Sequence, residues 1–453
     1  MKNIVSEQRA FFYTHQTKSI DYRLKQLSKL EKLLKSNESL LNEAIYKDFK
    51  KSVFDTYATE LALIYHDIKY AKKNIYKWSK VKRVGTNFLN FPAKSYIVPE
   101  PLGVCLVIGA WNYPYQLTLS PVVAAIAAGN TVVIKPSEIA PHTSSLMAKL
   151  INENFDSKYL KVIEGGVVET TLLLENKFDK IFFTGSPQVG KIIYQAAAKN
   201  LTPVTLELGG KSPAFVTEEC NLKMTVKRLV WAKFINAGQT CIAPDYVFVH
   251  KSIEKQFLEL LKIEIEKEKF SIENGNYTQI INHKNLERLS NMIPSDKVYH
   301  GGGVNTLDRV IEPTVLQGVT IDDEVMMEEI FGPILPVLSY EDLEVAISYV
   351  NNNPKPLSCY LFSTKKSVKK NILRKISFGG GAINEAIMHI ANPKLPFGGV
   401  GNSGIGSYHG EAGFKSFTHY KSILDKSNLI ELSLKYHPHS ERKLSWIRFF
   451  MKL

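Results

Sequence analysis

Cysteine is scarce in this chain. The four cysteines, Cys105, Cys220, Cys241 and Cys359, lie far apart and form no C-x-x-C pair, which excludes a disulfide framework and leaves no zinc-ligand spacing, so no metal site is expected. Long hydrophobic runs are missing too. No apolar stretch approaches the roughly 20 residues of a spanning helix, and the N-terminus carries Glu7 and Arg9 where a signal peptide would have its apolar core. Low-complexity linkers and internal repeats are absent. These absences predict a cytoplasmic protein of a reducing compartment, touching a membrane from outside at most. Acidic residues fall short of basic ones, 44 against 57, for a formal charge of +13. Such a surplus invites a nucleic-acid reading, but its placement argues against one. Residues 1–100 hold 19 basic and 10 acidic side chains, residues 421–453 hold 7 and 3, and the middle balances at 31 of each. No nucleic-acid partner is expected.

What is present is organised. In residues 4–80 apolar positions recur at helical spacing, as at Leu24, Leu27, Leu30 and Leu34, predicting an amphipathic helical opening with its lysines in water. The stretch from Val84 to Pro101 reads as an extended arm. After it, LGVCLVIGA, TVVIKP, LKVIEGG, DKIFFTGS and TPVTLELGG alternate with helical segments. They are apolar on consecutive residues, the mark of strands covered on both faces. Five such strands predict a doubly wound parallel sheet of the dinucleotide-binding type. The rhythm restarts with PAFV and YVFVH in a second α/β domain, beyond a tight turn expected at Gly209 and Gly210. The expected division is 1–83 with 100–208, then 209–417, with 84–99 and 418–453 as arm and tail.

Several residues sit where chemistry is done. FINAGQTCIAPDY places Cys241 among small and polar residues after a predicted helix. A lone cysteine is usually a small buried hydrophobe. Here Gly238 admits close backbone approach and Gln239 and Thr240 suit a core poorly, so a thiolate would face a substrate with a backbone N–H beside it. Glu207 closes an apolar strand, where burial would lift its pKa towards the range of a general base. In IFFTGSPQVGK, Gly185 permits a tight turn and the following helix offers free N–H groups to a pyrophosphate; an ordinary strand-turn-helix reads equally well. Lys135 and Glu138 follow a buried strand and are placed to hold ribose hydroxyls, a surface ion pair being the alternative. Asn112 of WNYP is either an oxyanion donor or a turn cap.

Taken together, WNYP, GNTVVIKPSE, FTGSPQVGK, ELGGKSP, GQTC, EEIFGPILP and PFGGVGNSGIGSYHG resemble the aldehyde dehydrogenase superfamily in order and spacing across nearly the whole chain. GQTCIAPDY and SYHG look most like its class 3 branch, whose members act on fatty, aromatic and other lipophilic aldehydes. The resemblance implies an α/β fold with a doubly wound cofactor domain, a second α/β catalytic domain and a small oligomerisation arm. It implies Cys241 as nucleophile, Glu207 as base and Asn112 with the Cys241 N–H as oxyanion hole. Lys135 and Glu138 would contact the adenosine ribose, and Gly185, Ser186, Pro187, Gln188, Val189 and Gly190 would cover the pyrophosphate. Glu329 and Phe331 would position the nicotinamide. His409 is expected at the substrate entrance. Glu138 should favour NAD over NADP by repelling a 2'-phosphate, with NADP the second candidate. Arms of this kind imply a homodimer, here through Thr86 to Pro99 and the segment after Phe417.

A coenzyme A-acylating dehydrogenase and a non-catalytic binding protein of the same fold are the alternatives. The tail RKLSWIRFFMKL sets Arg442, Lys443, Arg448 and Lys452 among Trp446, Ile447, Phe449, Phe450 and Leu453, a basic amphipathic pattern. It suits a partner subunit or peripheral contact with an anionic membrane.

Overall fold

The structure, a computed structural model, describes residues 2–451; Lys452 and Leu453 of the tail pattern lie outside the described residues. Chain periodicity explains the helical opening. In the helix Ile20–Ser36, capped by Ser19, the buried residues are Leu27, Leu30, Leu34 and Arg23, with the lysines turned outward. Arg23 is held inside by the Thr17, Lys18 and Ala127 carbonyls at 2.8, 2.7 and 3.2 Å.

All five expected strands form one parallel sheet. Its order is Val204–Glu207, Lys180–Thr184, Val104–Ile108, Thr131–Lys135, Leu160–Val162, and their side chains are almost all buried. The outer edge beside Val204–Glu207 is closed by a strand the sequence reading did not contain. Gly404–Ile405 returns from beyond the second sheet and pairs antiparallel, Gly404 opposite Glu207 and Ile405 opposite Leu206.

The second sheet has seven strands in the order Val298–His300, Thr314–Leu316, Ile334–Tyr340, Tyr246–His250, Pro213–Val216, Ser358–Phe362, Gly380–Ile383. All pairings are parallel except the first. Between the sheets, residues 208–212 run without a turn, which corrects the expectation at Gly209 and Gly210. Neither glycine takes a positive φ. A Cβ on Gly209 would meet the Glu329 carboxylate, which would have to move aside.

The arm is a three-stranded antiparallel sheet. Ala93–Pro101 pairs with Lys82–Val84 on one side and, from end to end, with Thr418–Lys426 on the other, so residues near both ends of the chain build it. The helix Glu441–Met451 leans back on it, with the Phe450 and Phe88 rings 4.7 Å apart. Trp446, Phe449 and Met451 stay exposed. Among the described residues no helix is long and apolar enough to cross a membrane.

Candidate active site

The C-terminal ends of the parallel strands meet the loops of the second sheet around a cavity of about 490 Å³. Its lining brings together Asn112, Lys135, Glu138, Gly185, Ser186, Val189, Glu207, Cys241, Glu329 and Phe331. Ligands in open parallel sheets sit at this edge. Pro187, Gln188 and Gly190 do not line it.

Cys241 follows an unusual backbone. Asn236, Ala237 and Gly238 take φ of 54°, 51° and 71° in succession, left-handed conformations that strain a side chain and concentrate at functional sites. Only glycine fits at 238, because a Cβ would run into the Gly332 carbonyl; the two motif loops pack backbone to backbone. Gln239 differs from expectation. It is fully buried and satisfied, its Nε2 donating to the Asn236 and Gln279 carbonyls, both at 3.1 Å, and its Oε1 accepting from Ile281 N at 3.0 Å. It brackets the loop and does not face a substrate. The Cys241 thiol is pushed up to about 12, first by burial and then by the charges of Glu329 and Glu207, with backbone N–H groups acting the other way. At rest the sulfur is therefore a neutral thiol.

Glu207 ends its strand with neither carboxyl oxygen hydrogen-bonded, and burial alone raises its pKa well above the carboxylate range. Asn112 donates one Nδ2–H to the Gln239 carbonyl at 3.0 Å and accepts on its own carbonyl from Asn236 Nδ2 at 2.9 Å. Its second Nδ2–H remains available.

Lys135 is buried, its Nζ donating to the Pro136 carbonyl at 2.7 Å and standing 3.3 Å from the half-exposed Glu138. The two form an ion pair that joins a buried ammonium to an exposed carboxylate. Ser186 Oγ accepts from Val189 N at 3.4 Å to cap the helix Pro187–Ala198, whose N-terminus opens on the cavity. The chain bends at Gly185 between strand and helix, as expected, without a positive φ; a Cβ there would stand 2.5 Å from the Phe183 ring. Gly190 likewise lets the helix approach Leu208, with 2.6 Å left for a Cβ.

Glu329 and Phe331 are set by residues the sequence reading quoted or passed over without assigning a role. Asp245 Oδ1 accepts from Ile330 N at 2.9 Å, and Lys211 Nζ joins Asp245 at 2.5 Å to the Glu328 carbonyl at 2.8 Å. Arg288 donates to the Ile330 carbonyl at 2.7 Å. Lys211 and Asp245 stand in the ELGGK and GQTCIAPDY segments themselves, whereas Arg288, on the helix His283–Asn291, carries no motif. Glu329 is pushed up to about 8 by burial and then by Asp245, against the Gly210 N–H, Lys211 and Arg288. Phe331, at φ 50°, meets Trp111 edge-on at 5.4 Å.

His409 lines no part of this cavity. It is buried, stacked on Phe397 at 5.2 Å, and borders a small hollow with Leu63, Gln116 and Ile390. Burial drives its ring down to about 3, so it is neutral.

The partly buried Cys241 thiol and the unbonded Glu207 carboxyl face one cavity at the C-terminal edge of a doubly wound parallel sheet, the architecture of a dinucleotide-binding oxidoreductase. The aldehyde dehydrogenase family model matches residues 1–423, and the chain belongs to that family, within its class 3 branch. It is an aldehyde dehydrogenase that uses NAD or NADP. The chain is 47% identical over 452 residues to a 4,4'-diaponeurosporen-aldehyde dehydrogenase of Staphylococcus aureus (strain NCTC 8325 / PS 47), covering 98% of each. It is 42% identical to a dimeric NADP-preferring aldehyde dehydrogenase of Rattus norvegicus, covering 98% of this chain and 99% of that protein. A solved structure described as the substrate-bound state of Staphylococcus aureus AldH is 46% identical and superposes with a TM-score of 0.97 over 99% of both chains.

Proposed function

We propose that this chain oxidises lipophilic aldehydes of the fatty, aromatic or terpenoid kind to carboxylic acids, with Cys241 as nucleophile, Glu207 as base and Asn112 as oxyanion donor. The observation that carries the reading is the convergence of these three residues in one cavity with Lys135, Glu138, Glu329 and Phe331. The apolar walls at Trp111, Leu117 and Phe331 favour a lipophilic substrate, as does the name of the Staphylococcus aureus relative.

The donor set fits a nicotinamide dinucleotide. A buried ammonium at Lys135 and a carboxylate at Glu138 suit ribose hydroxyls, and the open N-terminus of the helix Pro187–Ala198 suits a pyrophosphate. When bound, the dinucleotide supplies the hydride acceptor. The chain's own residues do the rest. Burial raises Glu207 along with Cys241, and proton transfer from thiol to carboxylate becomes less uphill as the two approach each other. The thiolate adds to the aldehyde carbon, and the second Nδ2–H of Asn112 with the Cys241 N–H receives the developing oxyanion. Loss of hydride leaves a thioester on Cys241. Once the thiol proton has passed from Glu207 to solvent, the Glu207 carboxylate takes a proton from water; the water oxygen attacks the thioester carbon, and the acid is released as the Cys241 sulfur leaves as thiolate. This need for a base favours water over coenzyme A as acceptor. Glu138 favours NAD, although the rat relative is named for NADP. That relative is described as dimeric, which supports a homodimer here, paired through the arm, and the exposed Trp446 and Phe449 beside Arg442 and Arg448 suit an anionic membrane surface.

A panel of short aliphatic, long aliphatic, aromatic and terpenoid aldehydes, run with and without coenzyme A, tests the reading. NADH should form with the lipophilic members and not depend on coenzyme A. Cys241→Ala should form none while still binding cofactor; turnover by that variant would overturn the assignment.

A further inference from the structure

A buried ion pair stands behind the Asn112 loop and takes no part in the steps above. Lys51 and Glu60 have fully buried side chains, Nζ to Oε1 2.8 Å. Taking two charges out of water is costly unless further hydrogen bonds satisfy them, and pairs of this kind are best attested as devices that fix register. Glu60 makes such bonds. Its Oε2 accepts from the backbone N–H groups of Tyr115 at 2.8 Å and Gln116 at 3.3 Å, the first free donors of the helix Gln116–Ala128. It does so from a π-helical turn, Tyr57–Leu61, a geometry that recurs at functional sites.

The partner charge acts on the same loop. The Lys51 ammonium lies 4.2 Å from the centre of the Tyr113 ring, near enough for a cation–π contact. The Tyr113 hydroxyl lies 2.6 Å from Thr240 Oγ1, one residue before Cys241. Asn112 is therefore gripped from both sides. Residues 51 and 60 hold its neighbours Tyr113, Tyr115 and Gln116, and residues 236 to 240 hold Asn112 and Tyr113 directly.

We propose that Lys51, Glu60 and Tyr113 are positioning residues that fix the Asn112 amide relative to the Cys241 sulfur and backbone N–H. The inference rests on the roles given to Asn112 and Cys241 under the proposed function. Oxyanion donors act through preorganisation, and loss of one costs about 10²- to 10³-fold in kcat. Letting the donor wander should forfeit part of that factor. The residues touch neither cofactor nor substrate in this scheme, so cofactor affinity should stay as it is.

The test uses the full chain and two variants. Tyr113→Phe removes only the bond to Thr240 and keeps the ring beneath Lys51. The double variant Lys51→Met with Glu60→Gln removes the pair without stranding a charge. Each should lower the rate of the first NADH burst about 10-fold or more, with the NAD dissociation constant and the aldehyde KM within about twofold of the parent. Combined with Asn112→Ala, neither should add its full loss, because a donor already removed cannot be displaced further. Burst rates within twofold of the parent, or losses that multiply fully with Asn112→Ala, overturn the proposal. If the double variant does not fold, Tyr113→Phe decides alone. Absence of NADH formation by the parent chain, or retained turnover by Cys241→Ala, would instead sink the proposed function.

Discussion

Burial raises the pKa of both Cys241 and Glu207, and that shared environment gives each a separate experimental signature. Glu207→Gln should keep the first burst of NADH and slow the steady state about 10²- to 10⁴-fold, the range of general-base catalysis; stopped-flow absorbance distinguishes the two phases. Glu329 offers a pH signature. Its folded pKa of about 8 lies above the ordinary value near 4.3, so the folded state holds the extra proton. Stability from that difference is complete at low pH and is lost as pH rises through the folded value. The thermal midpoint of the cofactor-free chain should fall as pH rises from about 4 to about 8 and level off above that, and Glu329→Gln should flatten the decline. At this scale the sequence was legible where a residue type does one job. Cys241, Glu207 and Lys135 stand in one cavity because motif spacing reflects strand ends. Gln239 was misjudged because a polar side chain can be satisfied by partners far along the chain, here at Gln279 and Ile281, and His409 because its ring packs on Phe397 away from the cavity.

Among the elements, the five buried strands were readable because contiguous apolar runs have no other stable place than between two layers of helix. The strand Gly404–Ile405 was not, since two residues carry no period and its partner lies far upstream. The arm was half readable: its extended character shows in Phe, Tyr, Ile and Pro, but its nine-residue pairing with Thr418–Lys426 is a tertiary fact. The loop Ile235–Gly238 provides the clearest test of an element. Gly238→Ala meets both a left-handed φ and the Gly332 carbonyl, whereas Gly318→Ala meets the φ of 68° alone, with nothing within 4 Å. Gly238→Ala should cost about 1 to 3 kcal/mol more than Gly318→Ala in chemical denaturation. It alone should lower kcat, since it shifts Cys241 against Phe331.

Over the whole molecule, the charge surplus belongs to the ends and leaves the catalytic half neutral, so association should be sensitive to the tail and turnover should not. A chain ending at Ser427 keeps the arm strand whole. It should retain the oxidation rate on a water-soluble aldehyde and lose co-sedimentation with anionic vesicles; equal sedimentation of the two chains would refute the membrane role. The edge strand Gly404–Ile405 carries a different consequence, one of timing. During synthesis the strand that ends in Glu207 is made long before the residues that cover its edge, and the arm strand Ala93–Pro101 waits longer still for Thr418–Lys426. The cofactor half therefore emerges from the ribosome with open, pairing-competent edges. Those edges should stay open until residues 404–426 have been made, which ties the setting of the Glu207 carboxyl to a segment far downstream of it.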